Sequence, residues 1–179
     1  MSDTIHNTDD RPAEVVVADF WEAMRRRDVE AVMRLVSDDI VEILPGVGVI
    51  NGPAEERAFL TAFFASFPDM RSDVVRVTAA GRVVAAEWRR RGTFTGSPWQ
   101  GLPASGKEFD VLGVAFFEVD NGRVTRVTVY SDSAQLGRDI GLLPPVGSPA
   151  EKVATSIYRI RVRIQRLLQA VGINKGRRS

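Results

Sequence analysis

Read for the spacing of its apolar residues, the chain divides into a helical first half and a strand-rich second half. From Pro12, the residues Val15, Val16, Ala18, Phe20, Ala23 and Met24 make an apolar stripe at helical spacing. The pattern pauses at Arg27-Asp28 and resumes through Val29, Val32, Met33, Leu35 and Val36. Two helices are expected, with Pro12 in the first turn of one and Asp28 capping the other. Ser37-Asp38-Asp39 closes the pair, and IVEILPG reads as a short strand stopped by Pro45 and Gly46. The glycine-rich GVGVINGP leads to Pro53, which opens a third helix with Phe59, Leu60, Phe63, Phe64 and Phe67 on its apolar side.

After Phe67-Pro68-Asp69 the period shortens to two. RSDVVRVTAAG and RVVAAEWRRRGTFTG are strands joined through Ala80-Gly81, and SPWQGLPASG is a loop leading into KEFDVLGVAFFEVD. The turn Asp120-Asn121-Gly122 then starts a last strand, GRVTRVTVYSD, paired with its predecessor as a hairpin. Helices followed by a meander of long antiparallel strands predict an α+β domain. A strongly curved sheet over helices on its concave side would bury one face and leave a pocket between.

The last strand carries Val124, Arg126, Thr128, Tyr130 and Asp132 on one face and Thr125, Val127, Val129 and Ser131 on the other. If the first set faces a closed apolar pocket, Asp132 loses hydration, its pKa rises, and it becomes the acid/base candidate. Tyr130 would then orient a substrate carbonyl. If that set faces water, Asp132 caps the helix that begins at Ser133 or Ala134 and Tyr130 is packing. Trp88, Arg90 and Phe94 share a face of their own strand. They read either as a ligand-stacking wall with a cation for an enolate, or as core and a solvated strand end. Glu42, Glu87 and Asp110 are candidates for a second carboxylate. Trp99, in the loop, is placed to cover a pocket mouth or an oligomer contact.

Composition narrows the chemistry. The 179 residues contain no cysteine and one histidine, His6, in a polar N-terminal stretch. Disulfides, thiolate metal sites and cysteine nucleophiles are therefore excluded, the single tail histidine argues strongly against a Ser-His-Asp triad, and no metal site is expected. No apolar run suits a membrane span or a leader, so a cytoplasmic protein is expected. Charge is divided unevenly: residues 1–150 hold 16 Lys and Arg against 22 Asp and Glu, while residues 151–179 hold 8 against 1. In the basic tail, Val153, Ile157, Ile160, Ile164, Leu167 and Val171 follow steps of three and four. YRIRVRIQ also alternates as a strand does, but the helical pattern covers more of the segment. A helix of about five turns from Pro149 with a stop at Gly172 is expected. It would pack on its own domain or a second subunit; a membrane surface is the next reading, and nucleic acid is not favoured.

From Arg82 to Pro144 the sequence resembles the SnoaL-like polyketide cyclases (ester cyclases) of the nuclear transport factor two-like superfamily. The resemblance rests on FPD at 67–69, VVAAEW at 83–88, GTFTG at 92–96, GLPASGK at 101–107, FEVDNGRV at 117–124, VYSD at 129–132, and QLG followed by LLP at 135–144. With the helical first half it covers roughly residues 13–145. It implies a cone-shaped α+β barrel over residues 12–145 with an internal pocket, after a disordered lead-in over 1–11 and before a basic helical extension over 146–179. It also implies a homodimer or larger homo-oligomer, and ring closure of a polyketide-like apolar molecule by aldol condensation without metal or organic cofactor. Asp132 matches the family's general acid/base. Ile43 and Phe94 stand where members often carry pocket histidines, which gives both an expected place at the substrate. A binding module without catalysis, and an epoxide hydrolase or epoxide-opening cyclase needing a second buried carboxylate, are the alternatives.

Overall fold

The computed structural model describes residues 11–175. Residues 1–10, with His6 and nearly all of the expected lead-in, lie outside the described residues. Helix α1 (Ala13–Arg26) turns its stripe inward, burying Val16, Val17, Phe20, Trp21 and Met24. It ends at Arg27, whose positive φ of 56° reverses the chain. Asp28 then caps α2 (Val29–Met33) by accepting from the Ala31 N–H at 2.9 Å. Strand β1 (Val36–Leu44) starts four residues earlier than its sequence suggests and pairs with β2 (Gly48–Asn51), a strand the glycine-rich pattern conceals. Helix α3 (Gly52–Ser66) follows, with Pro53 in its first turn and the Glu55 carboxylate accepting from the Asn51 N–H at 2.8 Å.

The meander is β3 (Arg71–Ala80), β4 (Val83–Thr93), β5 (Glu108–Asp120) and β6 (Arg123–Ser131). One six-stranded sheet runs in the order β2-β1-β6-β5-β4-β3. All neighbours are antiparallel except β1 and β6, which are parallel. The sheet curves around α1 and α3, giving the expected α+β architecture. Its inner face supplies the core from alternate residues, such as Val84, Ala86 and Trp88 of β4 facing Ala115 and Phe117 of β5. Gly113 pairs with Trp88 across these strands; a Cβ there would lie 2.2 Å from the Trp88 ring and 2.6 Å from the Tyr130 carbonyl. The glycine is what lets the indole lie flat on the sheet.

After β6, α4 (Ser133–Asp139) closes one end of the cone. Helix α5 (Pro149–Lys175) is helical as expected but runs on past Gly172. It does not pack on its own domain: Val153, Ile157, Ile160, Ile164 and Leu167 all remain at least 51 % exposed. Among the described residues no helix is long and apolar enough to cross a membrane.

Candidate active site

Between the concave sheet and α1, α3 and α4 lies a cavity of about 360 Å³. Its walls are largely aromatic: Phe20 and Trp21 come from α1, Phe59 and Phe63 from α3, Trp88 from β4, and Phe117 from β5. Trp99 closes one side, its ring 5.4 Å from Phe59 and 5.3 Å from Phe63. The loop that carries Trp99 is not slack. Trp99 and Leu102 exchange backbone hydrogen bonds at 3.0 and 2.9 Å around Gln100 and Gly101, both of which have positive φ, as a tight primed turn requires.

Three ionisable side chains enter this apolar space. Glu42 projects from β1 and Glu56 from the first half of α3; both are buried, and their carboxyls hydrogen-bond to each other. No other group among the described residues donates to Oε2 of either. Arg90, from β4, keeps part of its surface open to the cavity while protein surrounds it. Its guanidinium carbon lies 4.4 Å from the Trp88 ring centre, 5.4 Å from Phe63 and 5.7 Å from Trp21, a cation–π cage. Arg90 Nε and the indole nitrogens of Trp21 and Trp88 are buried donors that find no acceptor among the described residues. Such groups are costly unless a ligand or water meets them.

Burial dominates the electrostatics. It pushes Glu56 up to about 9, with the charge of Glu42 and the hydrogen bond to it adding in the same direction. Burial also raises Glu42, offset by the hydrogen bond from Glu56 and by the field of Arg90. Burial lowers Arg90 to about 10, against the attraction of Glu42. Burial raises both carboxyls, so the pair keeps a proton between them rather than carrying two negative charges.

The expected site residues divide between this cavity and the outside of the sheet. Trp88, Arg90, Trp99 and Glu42 line the cavity. Ile43 does not: it points away from the side of β1 that carries Glu42 and Leu44, because successive strand residues alternate. Phe94 is core behind the wall, its ring 5.1 Å from that of Phe67. Glu87 is on the outer face, ion-paired with Arg76 at 2.7 Å, and Asp110 is exposed and forked onto Arg89. Tyr130 is 52 % exposed on the same outer face, edge-on to Phe116.

Asp132 is exposed and accepts from the Gln135 N–H at 2.8 Å as the N-cap of α4. The dry, ring-lined surroundings that a proton-shuttling role required are absent from its position. Replacing Asp132 by Ala is expected to cost about 1 kcal/mol, the value of a lost cap, and to leave the affinity of a cavity ligand unchanged; thermal melts and a ligand titration check both. The residues that sequence reasoning missed are Glu56 and Trp21. Glu56 had a signal: it precedes Leu60 by four and Phe63 by seven, which sets an acid on the apolar stripe of its helix.

The profile of the SnoaL-like domain family matches residues 17–127. The chain belongs to the SnoaL-like domain family. Solved structures agree on the fold. A proposed SnoaL-like polyketide cyclase from Jannaschia sp. CCS1 superposes with a TM-score of 0.67 at 22 % identity, covering 74 % of this chain and 93 % of its own. A proposed polyketide cyclase from Xanthomonas campestris pv. campestris gives 0.63 at 28 %, covering 72 % and 96 %. An epoxide hydrolase of Mycobacterium tuberculosis, described as LEH-like, gives 0.58 at 22 %, covering 72 % and 88 %. No curated protein matches this sequence. The family match stops short of Tyr130 and Asp132 but includes Glu42, Glu56 and Arg90, and the extension from Pro149 lies outside it.

Proposed function

We propose that this SnoaL-like protein is a cyclase or isomerase for an apolar, carbonyl-bearing small molecule, working by acid/base catalysis inside the aromatic cavity. The observation that carries the reading is the proton-sharing Glu42–Glu56 pair set beside Arg90 in an otherwise apolar chamber. For an aldol-type ring closure, the Glu42 carboxylate takes a proton from the carbon next to a carbonyl. Arg90 offsets the charge that develops on the enolate oxygen. The enolate carbon then forms a C–C bond to a second carbonyl of the same molecule, and Glu56 gives its proton to that oxygen. Glu42 is left protonated and Glu56 ionised, and their mutual hydrogen bond returns the proton. One C–H bond is lost and one O–H bond gained, so no co-reactant is required. A cavity of this volume, at the small end of the usual ~300–1,000 Å³, suits a compact ring precursor.

The test is to incubate the protein with linear polyketones and keto esters in D₂O and follow products by mass spectrometry and NMR. A ring-closed isomer, of unchanged mass apart from exchanged deuterium, is the expected product. Recovery of every compound bound but unaltered makes the protein a binding module and ends the catalytic reading. The same two carboxyls favour a second reading, in which one activates water and the other protonates an epoxide oxygen. An epoxide in the panel converted to a diol would select it.

A further inference from the structure

The extension α5 has no place in the chemistry above, and its surface is organised. Val153, Ile157, Ile160, Ile164 and Leu167 form one continuous stripe that nothing among the described residues covers. At ~100° per residue, Arg161 and Arg163 fall roughly 80° to either side of that stripe, and Lys152, Arg159 and Arg166 lie further round on the Arg163 side. From Lys152 to the last residue the sequence contains no acid at all. We propose that α5 is a docking helix for an anionic bilayer surface, lying in the headgroup layer with its isoleucine stripe turned toward the acyl chains and its arginines reaching lipid phosphates.

Charge and pattern together favour this occupant over the others. A second copy of α5 offers the stripe an apolar partner but offers the arginines none: antiparallel pairing sets the flank carrying Arg161 against the same flank of the other copy, and the flank carrying Arg163 likewise, and neither this nor parallel pairing supplies a carboxylate there. Nucleic acid satisfies the arginines but leaves five branched apolar side chains in water. An anionic bilayer satisfies both, because long basic side chains flanking an apolar stripe extend their charges to the headgroups while their stems stay in the apolar layer. The 27 residues of α5 span about 40 Å at 1.5 Å per residue, long enough to lie along a surface. The proposal is independent of what the cavity does.

Co-sedimentation of the full-length protein with vesicles tests it. With phosphatidylcholine containing about 30 % phosphatidylglycerol, at about 0.1 M salt, binding is expected to be at least tenfold stronger than with phosphatidylcholine alone, and to fall about tenfold on raising the salt to ~0.5 M. The double variant Ile160→Asn/Ile164→Asn and the double variant Arg161→Gln/Arg163→Gln are each expected to lose most of the binding, with the thermal transition of the domain unmoved. Equal binding to both vesicle types, or binding to neither, overturns the proposal. So does duplex DNA binding that survives the isoleucine substitutions, or a concentration-dependent dimer that those substitutions abolish in a protein that ignores vesicles.

Discussion

Glu56→Gln is expected to lower kcat for a ring-closing substrate by about 10²–10⁴-fold while changing the Kd of a cavity ligand only a few-fold. Glutamine keeps the volume and one acceptor of the buried side chain but cannot pass a proton, so the loss falls on the chemical step. Glu42→Gln is expected to show the same division between kcat and Kd, because each carboxyl resets the other. The double variant should then be little worse than either single one, as groups that act as a unit are strongly non-additive. Stopped-flow or discontinuous product assays beside a fluorescence titration of the cavity tryptophans read the two quantities separately. Turnover that survives both substitutions would move the chemistry away from this pair.

The same pair makes folding stability depend on pH. The carboxyl of Glu56 has an ordinary value of 4.5 in an unfolded chain and about 9 in the folded protein. Between those values the unfolded chain releases a proton that the folded protein keeps, so stability falls as pH rises and levels off above about 9. The contribution is fully present below 4.5. The slope attributable to one such group reaches at most about 1.4 kcal/mol per pH unit, and Glu42, also raised by burial, acts in the same sense. Denaturant unfolding of the wild type at pH 5, 6, 7 and 8 is therefore expected to show steadily declining stability. In Glu56→Gln the decline is expected to be much shallower, with the variant more stable than the wild type at pH 8. A wild-type profile that is flat over this range would show that the two acids are hydrated in solution.

Much of this arrangement was legible from spacing alone. The helical stripe from Val15 to Met24, the cap at Asp28, the start of α3 at Pro53 and the four long strands all follow local rules. What escaped depended on contacts between distant parts of the chain. Val36 continues a helical pattern, yet it pairs with Val124 of β6 and so belongs to a strand. The inward face of β6 depends on a bulge that the sequence pattern does not reveal. Thr125 is an extra residue between the pairs Arg126–Glu118 and Val124–Val119, so Val124 and Val127 both point inward. Strict alternation groups Tyr130 and Asp132 with the buried Val124, but past the bulge it is Val127, Val129 and Ser131 that line the cavity, and Tyr130 and Asp132 face outward. Trp88 and Arg90 share a face of β4, as its alternation predicts, and both line the cavity; of the three carboxylate candidates, whose faces alternation alone leaves open, only Glu42 lines it. The acid partner of Glu42 lay on a helix read only for its phenylalanines.

The glycine behind Trp88 has one more consequence. Since position 113 has no side chain, the depth of the chamber is governed from its back wall, by a residue that does not itself line the cavity. A single added carbon there would collide with the indole on which the guanidinium is caged, so a shift that relieves the clash reaches both side chains. Size selection and placement of the positive charge are thus mechanically linked, and a lineage altering one by this route would retune the other in the same step.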